Sequence, residues 1–299
     1  MTAGPWPIGA ATLHAVAAFD APSPITREWA WGGSTGRGVR VAVVDSGIDA
    51  SHPDIGSLAG GVAVEIDDDA PGGLRLVEGR HDDLFGHGTA CAGIIRRLAP
   101  DAELFSVRVL GRTLKGTGAA LIAGLRWALD HDMDVINLSL STRRRAYFAK
   151  LHDLADHAYF RNTMLVAAMN NAPATSYPAE YSSVFSVGAY RTDDDVDVFY
   201  NPAPPVEFGA PGIAVKVAWR DGRTITSTGN SYAAAHVSGL LSRIRAEHPG
   251  LTAFQLKTVL HAVCVNATSA GVGQEGANTV GVPAGGGSSG TASTPASAR

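Results

Sequence analysis

Residues 39–47 read Val-Arg-Val-Ala-Val-Val-Asp-Ser-Gly, and this stretch decides the fold class. The β-branched run before Asp45 is typical of a buried strand, and Asp-Ser-Gly is typical of the turn that ends one. Similar apolar runs recur at residues 102–109, 134–138, 163–168, 184–187 and 213–217. Segments of helical composition accompany them, at residues 89–98, 118–130, 145–159, 231–247 and 252–263. This alternation predicts an α/β fold, with a mostly parallel β-sheet between layers of helices.

The overall composition excludes several classes of protein. There are 24 Lys and Arg against 28 Asp and Glu, so the formal net charge is −4. A nucleic-acid binder needs a basic surplus to displace counterions, and this chain has none. Hydrophobic residues make up 45%, which excludes disorder of the whole chain. No apolar run approaches the ~18 residues of a membrane-spanning helix. The two cysteines, Cys91 and Cys264, cannot form a disulfide framework or a zinc cluster.

The two ends of the chain differ from its middle. Residues 1–24 form an N-terminal extension in which no Lys or Arg precedes the weakly apolar stretch, so we expect no secretory signal. Residues 269–299 are rich in Gly, Ser, Ala and Thr and are predicted to be a flexible tail. One domain is therefore expected over residues 25–268. The expected location is the cytoplasm; the alternative is a secreted protein whose signal and pro-segment are absent from this chain.

Three fragments carry residues that together suit nucleophilic catalysis. Asp45 ends a predicted strand, His87 lies between two glycines at a helix start, and Ser231 opens an Ala-rich helix. Serine is a weak nucleophile unless an imidazole accepts its proton, and the imidazole needs an acid to fix its tautomer. Taken singly, each fragment also fits a turn or a helix cap. Their order along the chain and their positions at element ends favour a catalytic triad.

From about residue 31 to residue 263, the chain resembles the subtilisin-like serine peptidases, or subtilases. The motifs that carry the resemblance are Gly36-Arg-Gly-Val-Arg-Val-Ala-Val-Val-Asp-Ser-Gly-Ile-Asp49, Gly86-His-Gly-Thr-Ala-Cys-Ala-Gly-Ile-Ile95, Asp134-Val-Ile-Asn-Leu-Ser-Leu140, Tyr177-Pro-Ala-Glu-Tyr181, Phe208-Gly-Ala-Pro-Gly212 and Thr228-Gly-Asn-Ser-Tyr-Ala-Ala-Ala-His236. The resemblance implies a subtilisin-like three-layer fold and serine endopeptidase activity on peptide or protein substrates. It also implies that Asp45, His87 and Ser231 form the triad.

The resemblance assigns further site residues. Asn171 corresponds to the family's oxyanion asparagine, and Asn170 is the alternative if the match slides by one residue. The substrate-binding positions are Gly116, Gly118, Ser139, Leu140, Ser141 and Ser176.

Several residues depart from the family pattern. Asn230, Tyr232 and Ala235 stand where the serine motif usually has Thr, Met and Pro, and Ser141-Thr142 replaces Gly-Gly in the wall of the specificity pocket. Ser176 is expected at the floor of that pocket, with no acidic residue there. The pocket should therefore favour a small or medium uncharged residue before the cleaved bond.

Acidic residues suggest two further features. Asp82 and Asp83 precede His87, where they could attract a basic substrate residue further upstream, although two solvated carboxylates are the simpler interpretation. We expect no cofactor and no metal. Asp54 matches a family calcium ligand, but the loop that completes that site in secreted members is missing. The acidic runs 67–69 and 193–195 could also offer oxygen ligands to calcium, although solvated turns are the commoner explanation.

Three hypotheses about function follow from the sequence. The first is a monomeric serine endopeptidase, with maturation of a specific peptide as a candidate role. The second is an inactive or weak subtilisin-like protein that binds peptides, which the departures in the serine motif and the pocket support. The third is a serine hydrolase that acts on esters. The third is disfavoured because a second glycine is missing around Ser231, where nucleophile-elbow hydrolases carry it.

Overall fold

The computed structural model describes residues 21–267, so the predicted tail and most of the predicted N-terminal extension lie outside the described residues. The strands are β1 (Arg40–Asp45), β2 (Gly60–Ile66), β3 (Leu74–Glu78), β4 (Glu103–Arg108), β5 (Val135–Leu138), β6 (Met164–Ala168), β7 (Phe185–Tyr190), β8 (Phe199–Tyr200), β9 (Phe208–Pro211), β10 (Val215–Trp219) and β11 (Arg223–Ser227). The helices are α1 (Arg27–Ala30), α2 (His87–Leu98), α3 (Gly118–Asp130), α4 (Phe148–Phe160), α5 (Asn230–Glu247) and α6 (Ala253–Ala262).

Nine strands form one sheet in the order β3-β2-β4-β1-β5-β6-β7-β9-β8. The pairs from β2 through β9 are parallel, and only the two edge strands, β3 and β8, pair antiparallel with their neighbours. Strand β1 lies between β4 and β5, near the middle of the sheet. The predicted α/β class with a mostly parallel sheet is therefore confirmed.

Helices cover both faces of this sheet and create two cores. Alternate residues of β1 point to opposite faces, so Val41 and Val43 join one core while Ala42 and Val44 join the other, all four without solvent exposure. Helices α2 and α5 pack in the first core, and α3 and α4 in the second. The result is a three-layer structure. None of the helices in the described residues is long and apolar enough to cross a membrane.

The sequence patterns did not predict every strand, and one predicted strand lies outside the main sheet. Strands β2, β3, β8, β9 and β11 were not predicted, and β2 and β9 are both hydrogen-bonded within the main sheet. The apolar run at residues 213–217 corresponds to β10, which leaves the sheet and pairs only with β11 in a separate hairpin. The hairpin nevertheless reaches the site, because the Trp219 ring packs directly against Gly86 at the start of α2.

Candidate active site

Asp45 and His87 meet at the carboxyl end of the central strand β1. Asp45 is fully buried, and both of its carboxylate oxygens lie 2.8 Å from His87 Nδ1. The backbone N–H of Ser46 donates to the same carboxylate at 2.7 Å. Helix α2 can approach this closely because Gly88 has no side chain: a Cβ there would overlap the carbonyl oxygen of Gly47. Burial lowers the pKa of His87, but the charge of Asp45 and its hydrogen bond outweigh burial and raise that pKa above 6.5.

Asp83 holds the segment that leads into His87. Its carboxylate is 6% exposed. It accepts five hydrogen bonds, from the Ser46 hydroxyl (2.8 Å), the N–H groups of Phe85 (2.9 Å), Gly86 (2.8 Å) and Thr89 (3.0 Å), and the Thr89 hydroxyl (2.6 Å). These bonds occupy donors at the N-terminus of α2, where a negative charge is favourable. Asp83 is therefore neither a solvated carboxylate nor one that is available to a basic substrate residue. Its neighbour Asp82 is exposed.

Ser231 lies in the first turn of α5 and faces the same cavity as His87. In this structure its hydroxyl donates to the carbonyl oxygen of Ser139 at 3.1 Å rather than to His87. The Ser139 hydroxyl in turn donates to the Ser231 carbonyl at 3.1 Å and accepts from Asn137 at 2.9 Å. Asn137 also accepts from Ser238 of α5 at 3.0 Å. A buried polar chain thus fixes the start of α5 against the end of β5.

Two N–H donors of residues that border this cavity have no acceptor within the described residues. One is the Ser231 backbone N–H. The other is the Asn171 amide, whose side-chain oxygen accepts from the Asn230 N–H at 3.0 Å. Asn170 does not border this cavity, and its side-chain oxygen accepts from Ala172 at 3.1 Å. The geometry therefore favours Asn171 over Asn170 as the oxyanion donor, as the ungapped match implies.

The cavity that contains His87 and Ser231 has a volume of about 420 Å³. It brings together most of the expected substrate-binding residues, namely Gly116, Gly118, Ser139, Leu140 and Ser141, and Thr142 as well. A larger cavity of about 710 Å³ borders Asp82 and Asp83 but neither His87 nor Ser231. We assign the candidate site to the smaller cavity because it alone of the two contains both Ser231 and His87, the predicted nucleophile and base.

Ser176 differs from its expected position at the pocket floor. It is fully buried and does not border the cavity. Its hydroxyl accepts from the Asn170 N–H at 3.0 Å, and its own N–H donates to the Glu180 carboxylate at 2.6 Å. Ser176 therefore supports the loop that carries Asn170. Two expectations are not met: Ser176 does not border the cavity, and the carboxylate of Glu180 lies next to it.

The altered residues of the serine motif have structural roles. Asn230 does not face the oxyanion position: its side-chain oxygen accepts from Ala189 N–H at 2.7 Å, and its amide group donates to the carbonyls of Met169 (3.1 Å) and Asn170 (3.2 Å). It therefore ties the start of α5 to the ends of β6 and β7. Tyr232 is buried, its ring centroid lies 5.9 Å from that of His87, and burial raises its pKa to about 12.

Two of the acidic residues considered for metal binding, Asp67 and Asp195, form ion pairs. Asp195 pairs with Arg97 at 2.8 Å and contacts His236 at 3.4 Å, and Asp67 pairs with Arg75 at 3.1 Å. Asp54 is 63% exposed.

Within residues 21–267, one group of three potential ligands has its donor atoms within 4.8 Å of one another: Asp45, His87 and Cys91. Cys91 is fully buried, and burial raises the pKa of its thiol well above the usual value. The Cys91 thiol is therefore protonated at neutral pH.

The Asp83 hydrogen-bond network yields a stability prediction. Asp83→Ala leaves five donors without their acceptor, so we expect the free energy of unfolding to fall by at least about 2 kcal/mol. Asp82→Ala is the matched control, because it removes an exposed carboxylate and should change stability by less than about 0.5 kcal/mol. Urea titration of both variants measures the difference. Equal midpoints for the two variants would contradict the role assigned to Asp83.

Comparison with known proteins supports the same family. The sequence profile of the subtilase family matches residues 36–281. The minor extracellular protease Epr of Bacillus subtilis (strain 168) is 31% identical over 265 residues, which cover 84% of this chain and 39% of that protein. The thermostable alkaline protease of Halalkalibacterium halodurans is 33% identical over 236 residues, which cover 75% of this chain and 62% of that protein. This chain thus spans less than two thirds of either relative. Subtilisin DY of Bacillus licheniformis is 30% identical over 251 residues, which cover 78% of this chain and 86% of that protein.

A solved structure agrees with these relatives. The crystal structure of a cold adapted subtilisin-like serine proteinase superimposes with a TM-score of 0.62 at 28% identity, covering 76% of this chain and 82% of that one. The expected subtilisin-like three-layer fold is therefore confirmed. With a family match over most of its length, the chain belongs to the subtilase family, a family of serine-type endopeptidases.

Proposed function

We propose that this chain is a serine endopeptidase that hydrolyses peptide bonds through an acyl-enzyme on Ser231. The observation that carries the proposal is the buried Asp45–His87 pair, which opens onto the same cavity as the Ser231 hydroxyl. A carboxylate that holds Nδ1–H leaves Nε2 of the imidazole unprotonated and able to act as a base. The family assignment supports the same chemistry.

The reaction begins with a change at Ser231. Its hydroxyl turns from the Ser139 carbonyl towards His87 Nε2, a rotation about one side-chain bond. His87 accepts the proton as Ser231 Oγ attacks the substrate carbonyl carbon. Asp45 stabilises the imidazolium that forms. The proton then passes from His87 to the leaving amine, and a water molecule, activated by the same imidazole, hydrolyses the ester.

The developing oxyanion requires donors that are already in place. The Ser231 N–H and the Asn171 amide supply them, and the position near the N-terminus of α5 adds a favourable partial charge. Donors held in this way need little reorganisation as charge develops, so they stabilise the transition state more than the ground state. Maturation of a specific peptide remains part of the proposal, and what supports it is that Ser141 and Thr142 border the cavity where the family pattern has two glycines.

Ser231→Ala tests the nucleophile. The variant should keep its fold, because the hydroxyl is needed only for the covalent step, and it should lose peptide turnover by several orders of magnitude. A fluorophosphonate should label Ser231 of the unmodified chain, located by peptide mass spectrometry. Ser182→Ala is the matched control, because it removes an exposed hydroxyl outside the site, and it should retain labelling. Labelling on another serine with Ser231 unmodified contradicts the proposed triad. Labelling without peptide turnover favours the inactive or ester-directed alternatives.

The raised pKa of His87 gives a pH prediction with a definite sign. Protonated His87 cannot accept the serine proton, so kcat/KM should fall as the pH drops through one ionisation above 6.5. Asp45→Asn removes the charge that raises the pKa, so in the Ser231→Ala background His87 should titrate at lower pH by NMR. The same shift stabilises the folded state below the unfolded-state pKa, and that contribution disappears as the pH rises through the folded-state pKa. An unchanged His87 titration in Asp45→Asn overturns this account.

The proposed reaction uses no metal, and chelation tests this directly. Treatment with EDTA should leave turnover unchanged and lower Tm by less than about 3 °C. A cation that binds only the native state at a hundredfold excess over its Kd stabilises by about 2.7 kcal/mol, or several degrees for a domain of this size. EDTA saturated with calcium is the control. A Tm drop of about 5 °C or more in EDTA alone would show that an acidic cluster binds a cation.

A further inference from the structure

The two walls of the active-site cavity carry basic side chains and no carboxylate. One wall includes residues 109–118, and the other includes residues 139–142 and continues into residues 143–147. Neither segment contains Asp or Glu. Five exposed cations, which we call the cleft-rim cations, lie on these walls: Arg112, Lys115, Arg143, Arg144 and Arg145. Lys115 borders the cavity of His87 and Ser231, Arg112 borders the larger cavity next to it, and residues 143–145 directly follow the lining residues 139–142. The formal net charge of the chain is −4. The positive charge is therefore local to the cleft.

The arginine run is anchored at both ends beside the cleft. Before it, Thr142 forms two backbone hydrogen bonds with Tyr177, at 2.9 and 3.0 Å. After it, the Tyr147 ring packs so closely on Gly118 that a Cβ at this glycine would overlap the ring. Gly118 belongs to the opposite wall, so this contact joins the two walls. The anchors keep Arg143, Arg144 and Arg145 near the cavity.

The cleft-rim cations have no counter-charge of their own. In the part of the chain that the structure describes, none of the five forms an ion pair or donates a side-chain hydrogen bond, whereas Arg27, Arg97 and Arg245 each pair with an aspartate. The Asp83 carboxylate near His87 is occupied by its five internal donors and offers little to a basic substrate. A cleft lined by charge of one sign concentrates its field and attracts the opposite charge.

We propose that the cleft-rim cations bind the carboxylates of an acidic peptide segment, so that the preferred substrates carry Asp or Glu upstream of the residue before the cleaved bond. The inference rests on the proposed function, because it assumes that a peptide passes between these two walls to reach Ser231. Guanidinium groups suit this task, since their planar arrangement of donors matches a carboxylate. The upstream side follows from the expected pocket for the residue before the cleaved bond, because the Ser141-Thr142 wall of that pocket leads directly into the arginine run.

Matched peptides test the preference. Two peptides share a small uncharged residue before the cleaved bond, and their upstream segments differ only in Asp and Glu against Asn and Gln. We expect kcat/KM to be at least about fivefold higher for the acidic peptide at low ionic strength, since several exposed pairs contribute together. The ratio should approach one near 1 M salt, where the Debye length falls to about 3 Å. Equal cleavage of both peptides at low salt overturns the proposal.

Variants locate the preference on the cleft rim. The acidic-to-neutral ratio should fall towards one in Arg112→Gln/Lys115→Gln and in Arg143→Gln/Arg144→Gln/Arg145→Gln. Arg126→Gln/Lys216→Gln is the matched control, because it also removes two exposed, unpaired cations, and both lie outside the two wall segments 109–118 and 139–147. The control should keep the wild-type ratio. A ratio that persists in both rim variants, or that falls equally in the control, overturns the assignment.

Binding separates this inference from the proposed function. Fluorescence anisotropy with the Ser231→Ala variant compares the Kd of the same two peptides without chemistry. Tighter binding of the acidic peptide that is lost in the rim variants supports the assignment. It does so even if the unmodified chain cleaves neither peptide, because the absence of cleavage would contradict only the proposed function. Cleavage of both peptides at equal rates, with equal Kd values, supports the peptidase and rejects the acidic preference.

Discussion

The structure around the candidate site depends on burying the Asp45 carboxylate at the end of the central strand. A charge without solvent exposure is costly unless it is paired and hydrogen-bonded. His87 Nδ1 and the Ser46 N–H meet that requirement, and they can do so only if α2 starts directly above the strand. Gly88 permits that approach. The carboxylate therefore fixes where the helix begins as well as how the imidazole is oriented.

Two further polar residues, Asp83 and Asn230, fix the other parts of the site relative to this pair. Asp83 accepts hydrogen bonds from the turn after β1 and from the start of α2, so one carboxylate joins the two segments. On the opposite side, Asn230 bonds to backbone groups after β6 and within β7, while its own N–H orients Asn171. The candidate base is thus positioned through the Asp83 carboxylate, and the candidate oxyanion donor through the backbone N–H of Asn230, whose own side chain is bonded to Ala189 and Met169.

Much of this arrangement could be predicted from the sequence, and the exceptions have physical reasons. The central strands are buried on both faces, so they stand out as continuous apolar runs. Strand β3 is largely exposed and β8 has two residues, so neither gives such a signal. The order of Asp45, His87 and Ser231 suggested a site, whereas the burial of Asp83 depends on Ser46 and Thr89 folding around it. Likewise, Ser176 appeared free to meet a ligand because its bonds to Asn170 and Glu180 arise only in the folded loop.

The contact between Tyr147 and Gly118 has a mechanical consequence. Because the ring of one wall rests on the backbone of the other, the two walls cannot separate without breaking that packing. Under the proposed function, walls joined in this way favour a target segment that enters the cleft extended and free of its own secondary structure. Local unfolding of the target, or its presence in a disordered region, then decides which bonds are accessible before any side-chain preference applies.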